Sequence, residues 1–336
     1  MSNKTVAILG ATGVVGQQMM QCLAERDFPL KELVPLASAR SAGKKLSFNG
    51  KDVLVREATP DAFEGVDIVL GAADDGTAKR LMPEAVKRGA VCVDNSHAFR
   101  LYDDVPLVIP EINAEDVSWH SGIISNPNCA TIIALVPLWP LHKAAGMKRL
   151  IVSTYQAASG AGMPGLTELQ REMGVIANGG EVGETAPFAY QLAANLIPQI
   201  GGFDDEAYTS EEMKLQNEGR KICHLPELLV NCTCVRVPVM RSHSESITVE
   251  FDKPLSPDEA RAALAAAPGI KVVDDPAELR YPMPLETSDQ DLIFVGRVRR
   301  DLSAPEGINA LSFFCCGDQI RKGAATNAVQ IAELLV

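Results

Sequence analysis

Between Gly122 and Val136 the chain runs GIISNPNCATIIALV, so a thiol, Cys129, stands directly after one apolar run and directly before another. Residues 130–136 lack proline, so a helix can begin near Asn128, a good N-cap, with Cys129 in its first turn. Amide groups and the dipole at such an end favour a thiolate, which a free thiol of pKa ~8.5 scarcely populates at neutral pH. A residue just past a parallel strand also lies at the carboxyl edge, where open α/β sheets bind ligands. Two readings stay open on these residues alone: a small buried hydrophobe and a nucleophile.

A second feature is VAILGATGVVGQQMMQ, which spaces Gly10, Gly13 and Gly16 as G-x-x-G-x-x-G between a strand and a helix. In that context the backbone amides at the helix start can cradle a pyrophosphate. The end of the next strand, LASARSAGK, offers Ser38, Arg40, Ser41 and Lys44 and no nearby acid for a ribose 2′-hydroxyl. A hydroxyl and a guanidinium suit a 2′-phosphate, so NADP is the expected cofactor. Among the five histidines, His243 in RVPVMRSHSES follows two arginines between two strand-like runs. His97, His120, His142 and His224 have no such company and are read as surface or structural. A thiol, a histidine, cations for an anionic substrate and a nicotinamide together suggest oxidation of an aldehyde through a thioester.

These residues need elements to hold them. The first third alternates apolar strand-like runs (5–10, 33–38, 66–73, 90–96, 107–113, 122–126) with helical segments at 14–26 and 76–88, the pattern of a parallel sheet covered on both faces. After Cys129 the strand-like runs 150–159, 230–239, 245–251, 291–300 and 308–316 point to a mixed sheet. Helices are expected at 256–267, capped by Ser256, after a loop in 202–222 with Ser210 as cap, and in the tail. The expected fold is therefore α/β: a Rossmann-type parallel-sheet domain plus an α+β catalytic and dimerisation domain with a mixed sheet. The boundaries expected are 1–128 plus 317–336 for the first and 129–316 for the second.

At 336 residues two cores are affordable, and a net charge of −12 argues against nucleic acid, whose phosphates call for a basic face. The longest apolar stretch, Cys129 to Leu141, is 13 residues and carries Pro137 and Pro140, against roughly 20 for a membrane span. No membrane association is expected, and MSNKTVAILG enters a strand at once, unlike an export signal. Eight scattered cysteines without that signal suggest reduced thiols and a cytoplasmic location. Cys223, His224, Cys232 and Cys234 match no familiar zinc spacing, and no metal site is expected.

Over nearly its whole length the chain resembles the aspartate-β-semialdehyde dehydrogenases, through GATGVVG, ASARSAGK, VDNSHAFR, VPLVIPEIN, SNPNCAT, STYQAASGAG, EEMK, VRVPVMRSHSES, VGRVRRD and RKGAATNAVQIAE in that order. The resemblance implies NADP-dependent interconversion of L-aspartate 4-semialdehyde and L-aspartyl 4-phosphate, a step towards lysine, threonine, methionine and diaminopimelate. It implies Cys129 as acyl-thioester nucleophile, His243 as general acid/base and Gln156 as the residue that orients the substrate. Arg236 would grip the α-carboxylate in a bidentate pair, Glu211 the α-ammonium, and Arg100 and Lys214 the phosphate, with Asn128 also binding the substrate. Gly10, Thr12, Gly13, Val14, Ser38, Arg40, Ser41, Ser159, Gly160 and Asn327 would line the cofactor. The expected partners are a small-molecule substrate, inorganic phosphate and a second copy of the chain, a homodimer or a tetramer.

Three departures stand out. Relatives commonly carry a Ser-Ala-Gly turn where this chain has GAADDG (71–76), and many have serine where it has Ala130. Strict alternation along one strand would put Arg236 and His243, seven apart, on opposite faces, so a bulge or bend is expected between them, with Pro238 a plausible cause. The alternatives are an N-acetyl-γ-glutamyl-phosphate reductase, which shares the architecture and the thiol chemistry, and an inert paralogue serving as a binding subunit.

Overall fold

The computed structural model describes residues 3–336. The chain divides into two compact units, the chain up to Asn128 together with Ala324–Val336, and Cys129–Gly323.

In the first unit, β1 (Lys4–Leu9) leads through the glycine loop into α1 (Val14–Glu25) and then β2 (Leu30–Ala37). A hairpin follows, β3 (Lys45–Phe48) and β4 (Lys51–Leu54), turning at Asn49 and Gly50, both at positive φ as a tight hairpin turn requires. Then come β5 (Arg56–Glu57), β6 (Ile68–Gly71), α2 (Asp75–Lys87), β7 (Val91–Asp94), a short α3 (Pro110–Asn113) and β8 (Ile123–Ser125). Among the described residues the main sheet has the order β5-β2-β1-β6-β7-β8, all parallel. The order reverses between β2-β1 and β6, which marks a ligand crevice at the carboxyl ends of the strands.

Alternation along β1 explains the two cores. Val6 and Ile8 pack with Met19, Met20 and Leu23 of α1. Ala7 and Leu9 pack with Leu81, Met82 and Ala85 of α2 on the opposite face. The run 107–113, read as a strand, makes one bridge from Leu107 to Ser125 before Pro110 opens α3. Proline at a first helical position ends strand pairing there.

The second unit begins with α4 (Cys129–Ala145), which is buried nearly all round and continues through Pro137 and Pro140. Next come β9 (Met147–Gln156), α5 (Gly162–Ala177), α6 (Ser210–Ile222), β10 (Leu229–Arg236) and β11 (His243–Phe251). They are followed by α7 (Pro257–Ala265), β12 (Ile270–Val272), α8 (Pro284–Thr287), β13 (Ile293–Arg300) and β14 (Asn309–Gly317). The sheet order is β10-β9-β11-β14-β13-β12, parallel at both outer pairs and antiparallel within. Helix α7 carries the expected Ser256 cap, completed by Glu259. The cap of α6 is Thr209, one residue before the expected Ser210, because Thr209 and Glu212 form a reciprocal capping box.

The tail turns through a π-helical stretch, Arg321–Ala325, into α9 (Thr326–Glu333) of the first unit. The return to the first unit, expected at 317, comes at Ala324. Residues 317–323 instead stay with the second unit, because Asp318 and Gln319 bond to Arg241, Ser242 and Ser159.

Candidate active site

Arg236 and His243 do not share a strand. Arg236 ends β10, His243 begins β11, and both strands flank β9. Arg236 lies opposite Gln156, and Ser244 lies opposite Tyr155, so Arg236, Gln156 and His243 stand side by side at one end of three neighbouring strands. The expected bulge is thus a full connection, 237–242, that carries the chain past β9. The two residues share a face because they belong to different strands of one row.

His243 is fully buried, and its Nδ1 accepts a hydrogen bond from the Ala157 backbone N–H at 3.1 Å. A neutral imidazole in that position carries its proton on Nε2. Nε2 is buried with no hydrogen-bond partner among the described residues. Burial, and then the Arg236 charge, push the imidazolium pKa down to about 3, while Glu211 acts in the opposite direction. At neutral pH His243 is therefore a neutral Nε2–H donor.

Arg236 is buried and donates from Nη1 to the Ala157 carbonyl at 2.6 Å. Burial lowers its pKa, with Glu211 and Cys129 opposing. Gly160 lies against both groups: a Cβ built there would fall 2.6 Å from Arg236 Nη1 and 3.3 Å from His243 Nε2. Gln156 is fixed at both ends of its amide, accepting from Thr154 Oγ1 at 3.0 Å and donating to Glu211 Oε1 at 3.1 Å. Lys214, one helical turn on, donates to Glu211 Oε2 at 2.8 Å. The expected residues Gln156, Glu211, Lys214, Arg236 and His243 thus form one polar cluster of the second unit, beside Ser159 and Gly160.

Cys129 is the first residue of α4, which puts Asn128 at the cap position. Of the eight cysteines it is the half-buried one, and the others are buried. Burial pushes the Cys223 and Cys316 thiols up to about 12, so those behave as apolar packing. A Cβ at Gly323 would lie 3.0 Å from the Cys129 Cβ, so glycine there leaves the thiol its space.

In the first unit, Gly10 has φ +89°, and a Cβ on it would meet the Ala72 carbonyl oxygen at 2.4 Å. A Cβ on Gly16 would meet the Gly10 oxygen at 2.3 Å. Gly10 thus lets the loop lie against the turn after β6, Gly16 lets α1 lie against the loop, and Val14 opens that helix. A cavity of about 540 Å³ borders the loop, lined by Gly10, Thr12, Gly13, Ser38, Thr77 and Arg80 among others, a fit for the adenosine half of a dinucleotide. Arg40 and Ser41 lie on the 3₁₀ turn that follows β2. Glu57 and Asp74 also line this cavity. Glu57 arrives by the pairing of β5 with β2, opposite Ala37, so no local sequence signal announces it. Asp74 comes from the unusual GAADDG turn and caps α2 through the Thr77 N–H.

Arg100 and Asn327 meet at Asn126 in the first unit. Arg100 Nε donates to the Asn126 carbonyl at 3.0 Å, and Asn327 Nδ2 donates to its side-chain oxygen at 2.7 Å. Among the described residues no group of three or more His, Cys, Asp or Glu side chains is placed to hold a metal. No helix among them is long and apolar enough to cross a membrane.

Both units match families of known proteins. A family described as "Semialdehyde dehydrogenase, NAD binding domain" matches residues 5–120, and "Semialdehyde dehydrogenase, dimerisation domain" matches residues 138–322. The aspartate-semialdehyde dehydrogenase of Synechocystis is 48% identical over 98% of this chain and 97% of its own length. That of Bacillus subtilis is 46% identical over 98% and 96%. A solved aspartate semialdehyde dehydrogenase II of Vibrio cholerae, complexed with ASA, superposes with a TM-score of 0.96 at 42% identity, covering 100% of this chain and 98% of that one. A Candida albicans enzyme solved with NADP gives 0.77 at 26% identity, covering 99% and 98%. The parallel-sheet unit, the mixed-sheet unit and these relatives lead to one conclusion: the chain belongs to the aspartate-semialdehyde dehydrogenase family of oxidoreductases.

Proposed function

We propose that the chain interconverts L-aspartate 4-semialdehyde, phosphate and NADP⁺ with L-aspartyl 4-phosphate and NADPH through a thioester on Cys129. The observation that carries this reading is the polar row ending β10, β9 and β11, in which His243 offers a buried, unpartnered Nε2 beside Arg236 and Gln156. The substrate named for the Vibrio cholerae relative and the cofactor named for the Candida albicans relative support it. The family finding sets aside the N-acetyl-γ-glutamyl-phosphate reductase.

Arg236 holds the α-carboxylate, and Glu211 the α-ammonium, which fixes C4 of the aldehyde for attack. The Cys129 thiolate adds to that carbon, and the oxyanion that forms accepts a hydrogen bond from His243 Nε2–H. Loss of hydride from C4 restores the carbonyl and leaves the thioester, with the proton still on Nε2. When bound, NADP⁺ supplies the hydride acceptor for that oxidation. A phosphate oxygen then attacks the thioester, the C–S bond breaks and the thiolate returns. Lys214 and Arg100 are assigned to phosphate, and Ser159, Gly160 and Asn327 to the cofactor along with the glycine loop. Holding Nδ1 on the Ala157 N–H keeps the donating proton on Nε2 throughout.

We assign a homodimer, rather than a tetramer, to the open face of the second sheet. Ile151 and Tyr155 project there, 41% and 38% exposed, and the Tyr155 and Phe314 rings lie 6.1 Å apart. A cytoplasmic location accords with seven buried free thiols. The reading is tested by NADP⁺ reduction with aspartate 4-semialdehyde, which should require phosphate and disappear in Cys129→Ala. Phosphate-dependent turnover persisting in that variant would overturn it.

A further inference from the structure

The residue before His243 has an unusual backbone. Ser242 has φ +74°, in the left-handed region that side chains other than glycine rarely occupy, and it is buried. Such a conformation persists only where its surroundings over-determine it. Here they are specific. The Ser242 N–H donates to Gln319 Oε1 at 2.8 Å, and Gln319 Nε2 donates to Ser159 Oγ in the loop that follows β9.

The preceding residue is held as firmly. Arg241 Nε donates to Asp318 Oδ2 at 2.6 Å, and the same oxygen accepts from the Asp289 N–H at 2.6 Å. Asp318 Oδ1 accepts from the Ile320 and Arg321 N–H groups at 2.8 and 3.1 Å. Asp318 is fully buried, so its carboxylate is an anchor rather than a surface contact. Register explains why two dipeptides meet. Gly317 pairs with His243 across β14 and β11, so Asp318-Gln319 leaves one strand beside the point where Arg241-Ser242 enters the other.

We propose that Gln319 is a positioning residue for His243, acting through Ser242. Without its Oε1 the Ser242 N–H is left buried and unpaired, and the backbone can leave the left-handed well. His243 then loses the bond from the Ala157 N–H, and with it the Nε2–H tautomer and the ring direction. The assignment rests on the proposed role of His243 as Nε2–H donor to the reacting oxygen, so its test must separate loss of Gln319 from loss of that role.

The experiment is a double-mutant cycle on the full-length enzyme with steady-state kinetics. Gln319→Ala should lower kcat by roughly tenfold or more while each KM moves less than about threefold. Adding Ser242→Gly should recover at least about threefold, because glycine holds a positive φ without strain. Gln319→Glu should retain most of kcat, since its carboxylate can accept from both the Ser242 N–H and the Ser159 hydroxyl. If Gln319→Ala does not fold, Gln319→Asn, one methylene short, reads the same loss. No recovery on adding Ser242→Gly, or a rise in the dinucleotide KM with kcat preserved, overturns the proposal. Unchanged turnover in His243→Ala would instead overturn the role of His243 itself.

Discussion

Glu245, two residues past His243 on β11, allows a quantitative test of the interior beneath the site. It is fully buried, and neither carboxylate oxygen has a hydrogen-bond partner among the described residues. It lies opposite Thr154 on β9 and Cys315 on β14, one row below the row of His243. Burial pushes its pKa well above the ordinary value, and Cys234 and Glu211 push it the same way. The fold therefore favours the neutral carboxyl over the carboxylate. The unfolded chain releases this proton in the ordinary carboxylate range, at ~4.3. Above that pH the folded state binds more protons than the unfolded state, so stability falls as pH rises, until the raised folded pKa is passed. The slope is about 1.4 kcal/mol per pH unit within that window. Glu245→Gln keeps the shape and removes the titration. Its stability advantage over the parent should therefore grow with pH, by about 1.4 kcal/mol for each unit between the ordinary carboxylate range and the raised folded pKa. In melting temperature that is a gap widening by roughly 2 °C per pH unit. Scanning calorimetry of both proteins across the range reads it, and other titrations cancel in the difference. A gap that stays constant with pH would show that Glu245 is ionised in the fold, and would refute the reasoning.

Two further outcomes follow from particular contacts. Gly160→Ala places a Cβ 2.6 Å from Arg236 Nη1, so the guanidinium must move; kcat/KM for the aldehyde should fall by roughly tenfold or more with little change in melting temperature. Asp74→Asn keeps the cap on α2 while removing a negative charge, held ionised by the Thr77 N–H and hydroxyl, from the dinucleotide cavity. Because Asp74 is exposed, NADP⁺ binding followed by fluorescence titration should tighten by roughly two- to fivefold, and binding of NAD⁺ by less.

The first unit was legible because its signals are local. Strand period, glycine spacing and helix starts each lie within about a dozen residues, and the parallel sheet follows from their alternation. Cys129 was legible in the same way, as a thiol at a helix start. The second unit depends on pairing between distant segments. The sequence does not reveal that β10 and β11 both flank β9, and that pairing removes the apparent conflict between Arg236 and His243. Glu57 enters the cavity through a two-residue strand, and Gln319 acts through a backbone that turns left-handed at Ser242, where no glycine marks the turn. Alternation along HSESITV does predict that Glu245 faces inward with His243, a signal available from sequence alone. Ala130, where the resemblance leads one to expect serine, is buried, and nothing in the structure explains the exchange.

The central claim is a covalent acyl intermediate on Cys129, and its most direct test is a single turnover without phosphate. Enzyme mixed with aspartate 4-semialdehyde and NADP⁺ should release a burst of one NADPH per active site and leave an acyl group on the Cys129 peptide by mass spectrometry. Cys129→Ala should give neither. A burst of equal amplitude from that variant, or an acyl group on another residue, would contradict the account.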